Sequence, residues 1–205
     1  MGDREKVMRV VLASKSPRRK EILQNLGVKF DVIVADADES CDIADPHERV
    51  AALARVKGSA VLKYLCGRGE GTDCLIIASD TLVYAEGEFL GKPCDGEDAR
   101  RMIKMLSGKA HSVVSGLYIY LNGKEFAGAS ETKVIFDEMT DCEIEDYISS
   151  DEPYDKAGGY AVQGLASLYV SGLEGDYFNV VGLPVNLLYK TLKNEFGIDF
   201  NSLKA

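Results

Sequence analysis

The sequence predicts an α/β fold for its 205 residues, on three observations. Short β-branched apolar runs alternate with segments of helical periodicity along the chain. The near-continuous apolar run 74–78 has the pattern of a strand covered on both faces. The Asn122–Gly123 pair is the strongest hairpin signal and predicts two adjoining strands, 112–121 and 126–136. The length and a hydrophobic content of 46% suit a single domain over residues 1–205.

The chain is predicted to begin with a loose segment, 1–8, followed by a strand over 10–12 and a helix. Ser16 is expected to cap the helix, since serine is favoured at the N-cap and Pro17 suits the first helical position. Gly27 is expected to end it. This strand–turn–helix segment organises our interpretation of the chain, because a helix N-terminus favours anions.

Two hydroxyls and two arginines, Ser14, Ser16, Arg18 and Arg19, stand at that helix N-terminus. Cationic side chains oppose the helix dipole there, so they need another reason to be present. The combination suits a phosphate chain better than a lone carboxylate. The alternative is a solvated basic first turn.

A second short strand, 30–34, leads into an acidic stretch that ends before a long helix over about 46–64. Most of the acidic side chains fit a solvated loop. One or two of them, Glu39 first, are candidate ligands for Mg²⁺ or Mn²⁺, which prefer oxygen donors. Lys57 lies within the apolar stripe of the helix, so its amine either binds an anion or extends to the surface. The predicted stripe consists of Val50, Leu53, Ala54, Ala60, Val61 and Tyr64.

A loop is predicted at 67–71, and the buried run 74–78 follows it. Asp80 lies two residues past the end of that run. An acidic residue just past a buried strand is a common place for chemistry in α/β proteins, because ligands lie outside strand ends. The alternative is an Asx turn or a helix cap. The chain then turns at 86–88 and returns through 89–93, which supplies Lys92.

The remaining elements are predicted from caps and periodicity. Asp95 is expected to cap a helix over 97–106, and Thr140 with Glu143 forms a capping box for another helix that ends near Ser149. A glycine-rich loop with Lys156 and Gln163 follows. The last predicted elements are a strand over 168–170 and a helix that starts at 182–184, with Val185, Leu188, Leu192 and Phe196 on its apolar face.

Composition excludes several classes of function. A net charge of −9 disfavours a general nucleic-acid binder, and no apolar run approaches the length of a membrane span. Five cysteines without C-x-x-C spacing point to reduced thiols in the cytoplasm, and two histidines argue against a histidine-rich zinc site. The P-loop motif is absent, and neither histidine stands in a nucleophile–base setting.

The candidate residues named above, taken together, suit hydrolysis at a phosphate. Cations and a divalent metal neutralise a phosphate chain, while a carboxylate activates water. The set comprises Ser14, Arg18, Arg19, Glu39, Lys57, Asp80, Lys92, Lys156 and Gln163.

The chain resembles the Maf family of nucleoside triphosphate pyrophosphatases over nearly its whole length. The motifs that carry the resemblance are modest singly and specific in this order. They are LASKSPRRKEIL (12–23), ASDTLV (78–83), GKPCD (91–95), LSGKAH (106–111), SDEPYDKAGGYAVQG (150–164) and NVVGLP (179–184).

The resemblance implies a twisted mixed central sheet flanked by helices, with a cleft between two lobes. It implies cleavage of a nucleoside triphosphate between its α and β phosphates, a divalent cation (Mg²⁺ or Mn²⁺) and a homodimer. Asp80 matches the proton acceptor, and Arg18, Thr81 and Gln163 match the positions that mark the dTTP/UTP-specific subclass.

The residue chemistry agrees with that subclass, because a glutamine amide and the N3–H/O4 edge of thymine or uracil each offer one donor and one acceptor. From these arguments we expect phosphate binding by Ser14, Arg18, Arg19, Lys57, Lys92 and Lys156, and metal binding by Glu39 and Asp80. The rival hypothesis is a non-catalytic nucleotide-binding regulator of cell division. The carboxylates argue for turnover, because a pure binder of a polyanion gains little from added negative charge.

Overall fold

The computed structural model describes residues 8–70 and 73–204. Residues 1–7 of the predicted loose start and residue 71 of the predicted 67–71 loop fall outside these residues. The strands are β1 (Arg9–Leu12), β2 (Asp31–Val32), β3 (Cys74–Ala85), β4 (Glu88–Leu90), β5 (Ala110–Leu121), β6 (Lys124–Phe136) and β7 (Val170–Glu174). The α-helices are α1 (Pro17–Asn25), α2 (Pro46–Gly67), α3 (Gly96–Leu106), α4 (Asp141–Ile148), α5 (Tyr177–Val181) and α6 (Val185–Glu195).

The strands form one mixed sheet in the order β2-β1-β3-β5-β6-β7. β1 is parallel to both β2 and β3, whereas β3, β5, β6 and β7 are successively antiparallel. The short strand β4 folds back on the end of β3. This architecture confirms the predicted mixed α/β class.

One face of the sheet carries two apolar clusters divided by polar side chains. Along β3, Leu75 and Ile77 belong to the cluster with α1 and α6, while Val83 and Ala85 belong to the cluster with α3 and α4. Ser79 and Thr81 lie between these pairs on the same face, because side chains two residues apart point the same way. The core therefore has two halves, with a polar band between them.

The other face of the sheet is covered by α2, which approaches β5 very closely. A Cβ atom on Gly116 of β5 would lie 2.0 Å from the carbonyl oxygen of Val50, and one on Gly58 of α2 would lie 2.1 Å from Cδ1 of the fully buried Tyr118. These two glycines allow helix and sheet to touch nearly backbone to backbone. Gly116 is also the direct sheet partner of Asp80.

Most predicted local signals are confirmed. The Asp95 cap, the Thr140–Glu143 capping box and the Asn122–Gly123 turn form as expected, the last with positive φ at both residues. Gly27 follows the end of α1 at φ 77°. These features depend on neighbours a few residues apart, so the sequence alone specifies them.

Three expectations about elements are wrong, and one short helix is absent from the sequence predictions. The second strand covers only Asp31–Val32, and the strand expected at 168–170 begins at Val170 instead, because Leu168 ends a 3₁₀ turn. Tyr64 is 45% exposed and lies off the buried stripe of α2, which is Val50, Ala54, Gly58, Val61 and Leu65. The helix α5 was not predicted, since five residues are too few to show helical periodicity.

In the part of the chain that the structure describes, no helix combines the length and apolar character needed to cross a bilayer.

Gly116→Ala should destabilise the fold by about 3 kcal/mol, because the added methyl group meets the α2 backbone, which cannot rotate away like a side chain. Urea denaturation measures this. Gly67→Ala, at the end of α2, is the matched control, since a Cβ there has no atom within 4 Å among the described residues. Equal stability of the two variants would show that α2 does not approach β5 this closely.

Candidate active site

The site lies where one edge of β3 has no strand beside it. On its other edge β3 pairs with β5 from Ile76 to Tyr84. On the open edge, β1 pairs with β3 only as far as Ile77, and the pairing of β4 with β3 begins only at Val83. Because β1 runs parallel to β3 and β4 runs antiparallel, the carboxyl ends of these two short strands face each other across the gap.

Asp80 lies within β3, not beyond a strand end as expected. The strand continues for 12 residues because β5 supports it throughout, so the polar triplet Ser79–Asp80–Thr81 is extended strand rather than a turn. Asp80 nevertheless stands just past the end of β1, which pairs with β3 only as far as Ile77. The Asx-turn and helix-cap alternatives for Asp80 are excluded by its strand conformation.

A cavity of about 700 Å³ opens at this gap. Its walls come from the segment after β1, the acidic loop, α2, β3, the segment after β4, β5, the glycine-rich loop and the end of α5. All ten candidate residues line it: Ser14, Arg18, Arg19, Glu39, Lys57, Asp80, Thr81, Lys92, Lys156 and Gln163.

Lys57 joins the two carboxylates of the cavity. Its ammonium lies 2.5 Å from Oδ1 of Asp80 and 2.9 Å from Oε2 of Glu39. The Lys57 and Asp80 side chains are only 21% and 16% exposed, whereas Glu39 is 55% exposed. The Lys57 amine therefore turns into the cavity, where it meets the carboxylates rather than the surface.

Arg19 is held by hydrogen bonds to three neighbouring protein groups. Its guanidinium donates to the Gly182 carbonyl at 2.7 Å, to Ser14 Oγ at 3.1 Å and to Thr81 Oγ1 at 3.2 Å. Burial lowers the pKa of Arg19, and the charge of Asp80 partly opposes that effect. Arg19 thus fixes the positions of Ser14 and Thr81 while it faces the cavity.

The start of α1 differs in detail from the expectation. Ser16 is at the N-cap but its side chain makes no capping hydrogen bond. Instead, the hydroxyl of Ser14 accepts from the Ser16 N–H at 3.2 Å as well as from Arg19. Both acceptor positions of Ser14 are thereby used, so its own O–H remains to donate to a ligand.

The other cations face the cavity with fewer partners. Lys156 donates to the Glu152 carbonyl at 2.9 Å and to the Asp155 carboxylate, and that hydrogen bond is the main cause of the lowered pKa of Asp155. Within residues 8–70 and 73–204, the side chains of Arg18, Lys92 and Gln163 form no hydrogen bond or ion pair. Their polar groups are available to a ligand.

A buried polar network supports the cavity floor, and most of its residues were not predicted from the sequence. Ser115 of β5 bonds Thr81 at 2.8 Å and donates to the Asn179 carbonyl at 2.9 Å. The Asn179 amide reaches Thr132 of β6 at 3.1 Å. A polar residue inside the apolar run of β5 was the available signal for Ser115. Asn179 was quoted only as part of a motif.

His111 is buried behind the cavity, where its Nε2 bonds the hydroxyl of Tyr160, a lining residue, at 2.7 Å. Burial lowers the pKa of His111 to about 4, so the ring is neutral at pH 7. This supports a structural position for His111, in agreement with the sequence argument against histidine–nucleophile catalysis.

The cavity is suited to a polyanion with an apolar end. Six cationic side chains line it against four carboxylates, although the chain carries a net charge of −9. Local cations can dominate the field of a cleft in this way. Valine and alanine side chains, with Tyr160, supply the apolar surface.

A divalent cation fits the donor set. The Glu39 and Asp80 carboxylates converge on one ammonium, so their oxygens face a common point. The described residues hold no cluster of three or more His, Cys, Asp or Glu side chains suited to a metal. Two carboxylates are sufficient for Mg²⁺ when substrate phosphates and water complete its coordination.

Comparison with known proteins assigns the chain to a family. Residues 9–195 match the family model described as Maf-like protein. A dTTP/UTP pyrophosphatase from Bacillus cereus is 40% identical over 196 residues, covering 95% of this chain and 93% of that protein. One from Thermoanaerobacter sp. is 44% identical over 194 residues, covering 93% and 98%.

Among solved structures, the Staphylococcus aureus Ham1 protein matches with a TM-score of 0.53. The alignment covers 91% of this chain and 99% of that one at 14% sequence identity. This likeness concerns the fold alone.

Lys57→Met should leave the chain folded but less stable by about 1–3 kcal/mol, because the largely buried Asp80 then lacks its closest partner. Adding Asp80→Asn should recover part of that loss in urea denaturation. A control cycle on the exposed Arg100–Glu145 pair, with Arg100→Met and Glu145→Gln, should give a coupling energy of roughly 0–1 kcal/mol. Additive effects in the Lys57–Asp80 cycle would mean that this ion pair does not form.

Proposed function

The chain belongs to the Maf family, and from that premise we propose that it is a dTTP/UTP pyrophosphatase. It hydrolyses these nucleotides to the monophosphate and pyrophosphate. The observation that carries the proposal is the convergence of ten candidate residues, from six separate stretches of the chain, on one cavity. A large share of those residues are cations, as a triphosphate requires.

Arg18, Lys92 and Lys156 bind the phosphate chain together with the free O–H of Ser14. These groups enter from the segments that follow β1 and β4 and from the glycine-rich loop, so they surround a ligand placed at the gap. Arg19 contributes its charge and any N–H left after its three protein contacts. Lys57 adds a fifth cation from the side of α2.

Asp80 accepts the proton of the attacking water. Water bonds to the α phosphorus as the bond to the bridging oxygen breaks, and pyrophosphate leaves. Asp80 suits this task because β5 holds its backbone while its side chain faces the cavity beside Lys57. Glu39 and Asp80 are the residues that would hold Mg²⁺ or Mn²⁺. When bound, the cation supplies charge neutralisation and lowers the pKa of coordinated water.

Gln163 recognises the base. Its amide lines the cavity with no protein partner among the described residues, so its donor and acceptor can both pair with the N3–H/O4 edge of thymine or uracil. Arg18 and Thr81 complete the set of residues that mark this substrate class. Thr81 reaches the cavity from β3, where Arg19 and Ser115 hold its hydroxyl.

Two further expectations stay proposals. We propose a homodimer, which rests on the family resemblance. We also propose a cytoplasmic enzyme, because all five cysteines are free and a cytoplasmic protein keeps such thiols reduced. A non-catalytic nucleotide-binding regulator of cell division is the competing hypothesis, and it predicts no turnover of dTTP by the purified protein.

The test is phosphorus NMR of dTTP with the purified protein and Mn²⁺. We expect dTMP and pyrophosphate as primary products, and Asp80→Asn should lower turnover by roughly 10²–10⁴-fold through loss of the base. Binding of a non-hydrolysable dTTP analogue should survive in that variant. Asp146→Asn, an exposed change on α4, is the charge-matched control. Orthophosphate as the first product would refute α–β cleavage, and near-normal turnover in Asp80→Asn would move the base to another carboxylate.

Gln163→Glu should lower kcat/KM for dTTP and UTP by about 10–100-fold, because it replaces the amide donor with a charged acceptor at the base edge. Steady-state kinetics with both nucleotides measure the effect, and thermal unfolding should show little change since Gln163 is exposed. Gln24→Glu on the exposed face of α1 is the matched control. Unchanged dTTP kinetics would remove Gln163 from the base site.

A further inference from the structure

The loop that carries Lys156 and Gln163 is closed at its base by one carboxylate. Glu152 stands at the start of this loop, just after α4. Its Oε2 accepts from the Leu165 N–H at 2.7 Å, and its Oε1 accepts from the Ala166 N–H at 3.2 Å. The two ends of a segment of about fifteen residues are thus joined through a single side chain.

Tyr147 and Gly164 also contact the Glu152 carboxylate and help to fix its position. The hydroxyl of Tyr147 on α4 donates to Glu152 Oε1 at 3.0 Å and also lies 3.1 Å from the Gly159 carbonyl. Burial and the neighbouring Glu152 charge raise the pKa of Tyr147, so it stays a donor. A Cβ atom on Gly164 would lie 2.1 Å from Glu152 Oε2, so the backbone at Gly164 passes directly over the carboxylate, and a side chain there would displace Glu152 from this position.

Glu152 also holds the cationic end of the loop. Its backbone carbonyl accepts from the Lys156 ammonium, whose side chain is 15% exposed. Glu152 itself is not part of the cavity lining, whereas Lys156 and Gln163 both are. One residue outside the cavity therefore sets the positions of two residues inside it.

We propose that Glu152 is a positioning residue that determines base selectivity by fixing the loop from 152 to 166. The proposal rests on the proposed function for the meaning of Gln163. Gln163 lies two residues before Leu165, so the Glu152–Leu165 hydrogen bond fixes the backbone from which the Gln163 amide projects. About half of the loop consists of short 3₁₀ turns, which hold their shape less firmly than an α-helix.

A carboxylate is required at this position because both of its oxygens accept from N–H groups. In Glu152→Gln one oxygen becomes an NH₂ group, which faces a backbone N–H and cannot accept from it. The loop end is released while the size of the side chain is unchanged. We expect the Kd of a non-hydrolysable dTTP analogue to rise about tenfold, as for one lost hydrogen bond to a charged acceptor.

The experiment compares Glu152→Gln with Glu145→Gln, the same exchange at an exposed ion pair on α4. Calorimetry gives Kd for non-hydrolysable dTTP and dCTP analogues, since cytosine presents the opposite donor–acceptor edge to Gln163. Each Kd is repeated in a Gln163→Ala background. Hydrogen exchange at Leu165 and Ala166 reports loop closure without any nucleotide. Tyr147→Phe removes one hydrogen-bond donor to Glu152 at nearly constant shape, and it replaces Glu152→Gln in these measurements if that variant does not fold.

The expected result is a smaller preference for dTTP over dCTP in Glu152→Gln, faster exchange at Leu165 and Ala166, and no further change in preference when Gln163 is already alanine. An equal loss of affinity for both analogues, or the same loss in the Gln163→Ala background, would overturn the proposal, because Glu152 would then only support the fold. Wild-type affinity and preference would overturn it too. Failure of the wild-type chain to hydrolyse dTTP would refute the proposed function alone. The binding and hydrogen-exchange measurements would still test whether Glu152 positions the loop.

Discussion

The unequal pairing of the two edges of β3 shapes the rest of the molecule. One edge is continuously supported by β5, which keeps the strand extended through Asp80. The other edge is supported only near its ends, by β1 and by β4, so a gap remains between them. Chain segments that leave β1 and β4 meet at that gap, and the cavity is the space they enclose. A longer β1 would fill the space that the cationic side chains of the cavity now surround.

The close approach of α2 to β5 brings Lys57 next to Asp80. Gly116 lies beside Asp80 in the sheet, and its missing side chain allows the α2 backbone to touch β5. Lys57, about two turns along α2 from Val50, then reaches Asp80 over 2.5 Å. The close packing at Gly116 and the ion pair of Asp80 with Lys57 therefore occur at paired positions of two neighbouring strands.

The cavity combines cations with different degrees of freedom. Arg19 is held by three protein acceptors and organises Ser14 and Thr81, whereas Arg18 and Lys92 have no hydrogen-bonding partner in the described part of the chain. Lys156 is tethered through Glu152 at the base of the glycine-rich loop. A rigid floor beneath freer cations is suited to a triphosphate, whose charge must be bound firmly and then released as two products.

The sequence by itself determined the α/β class, the caps of α3 and α4 and the hairpin, and it named the ten residues that meet in the cavity. Those features depend on periodicity and on neighbours within a few positions. Only the tertiary structure decided that Asp80 lies inside a strand, that Lys57 joins it to Glu39, that Arg19 bonds a carbonyl at Gly182, and that Glu152 closes its loop. Most of these contacts join residues far apart in the chain, and even the loop closure depends on how the backbone bends back over the carboxylate. Which partner a polar group finds is therefore set by strand pairing and helix packing.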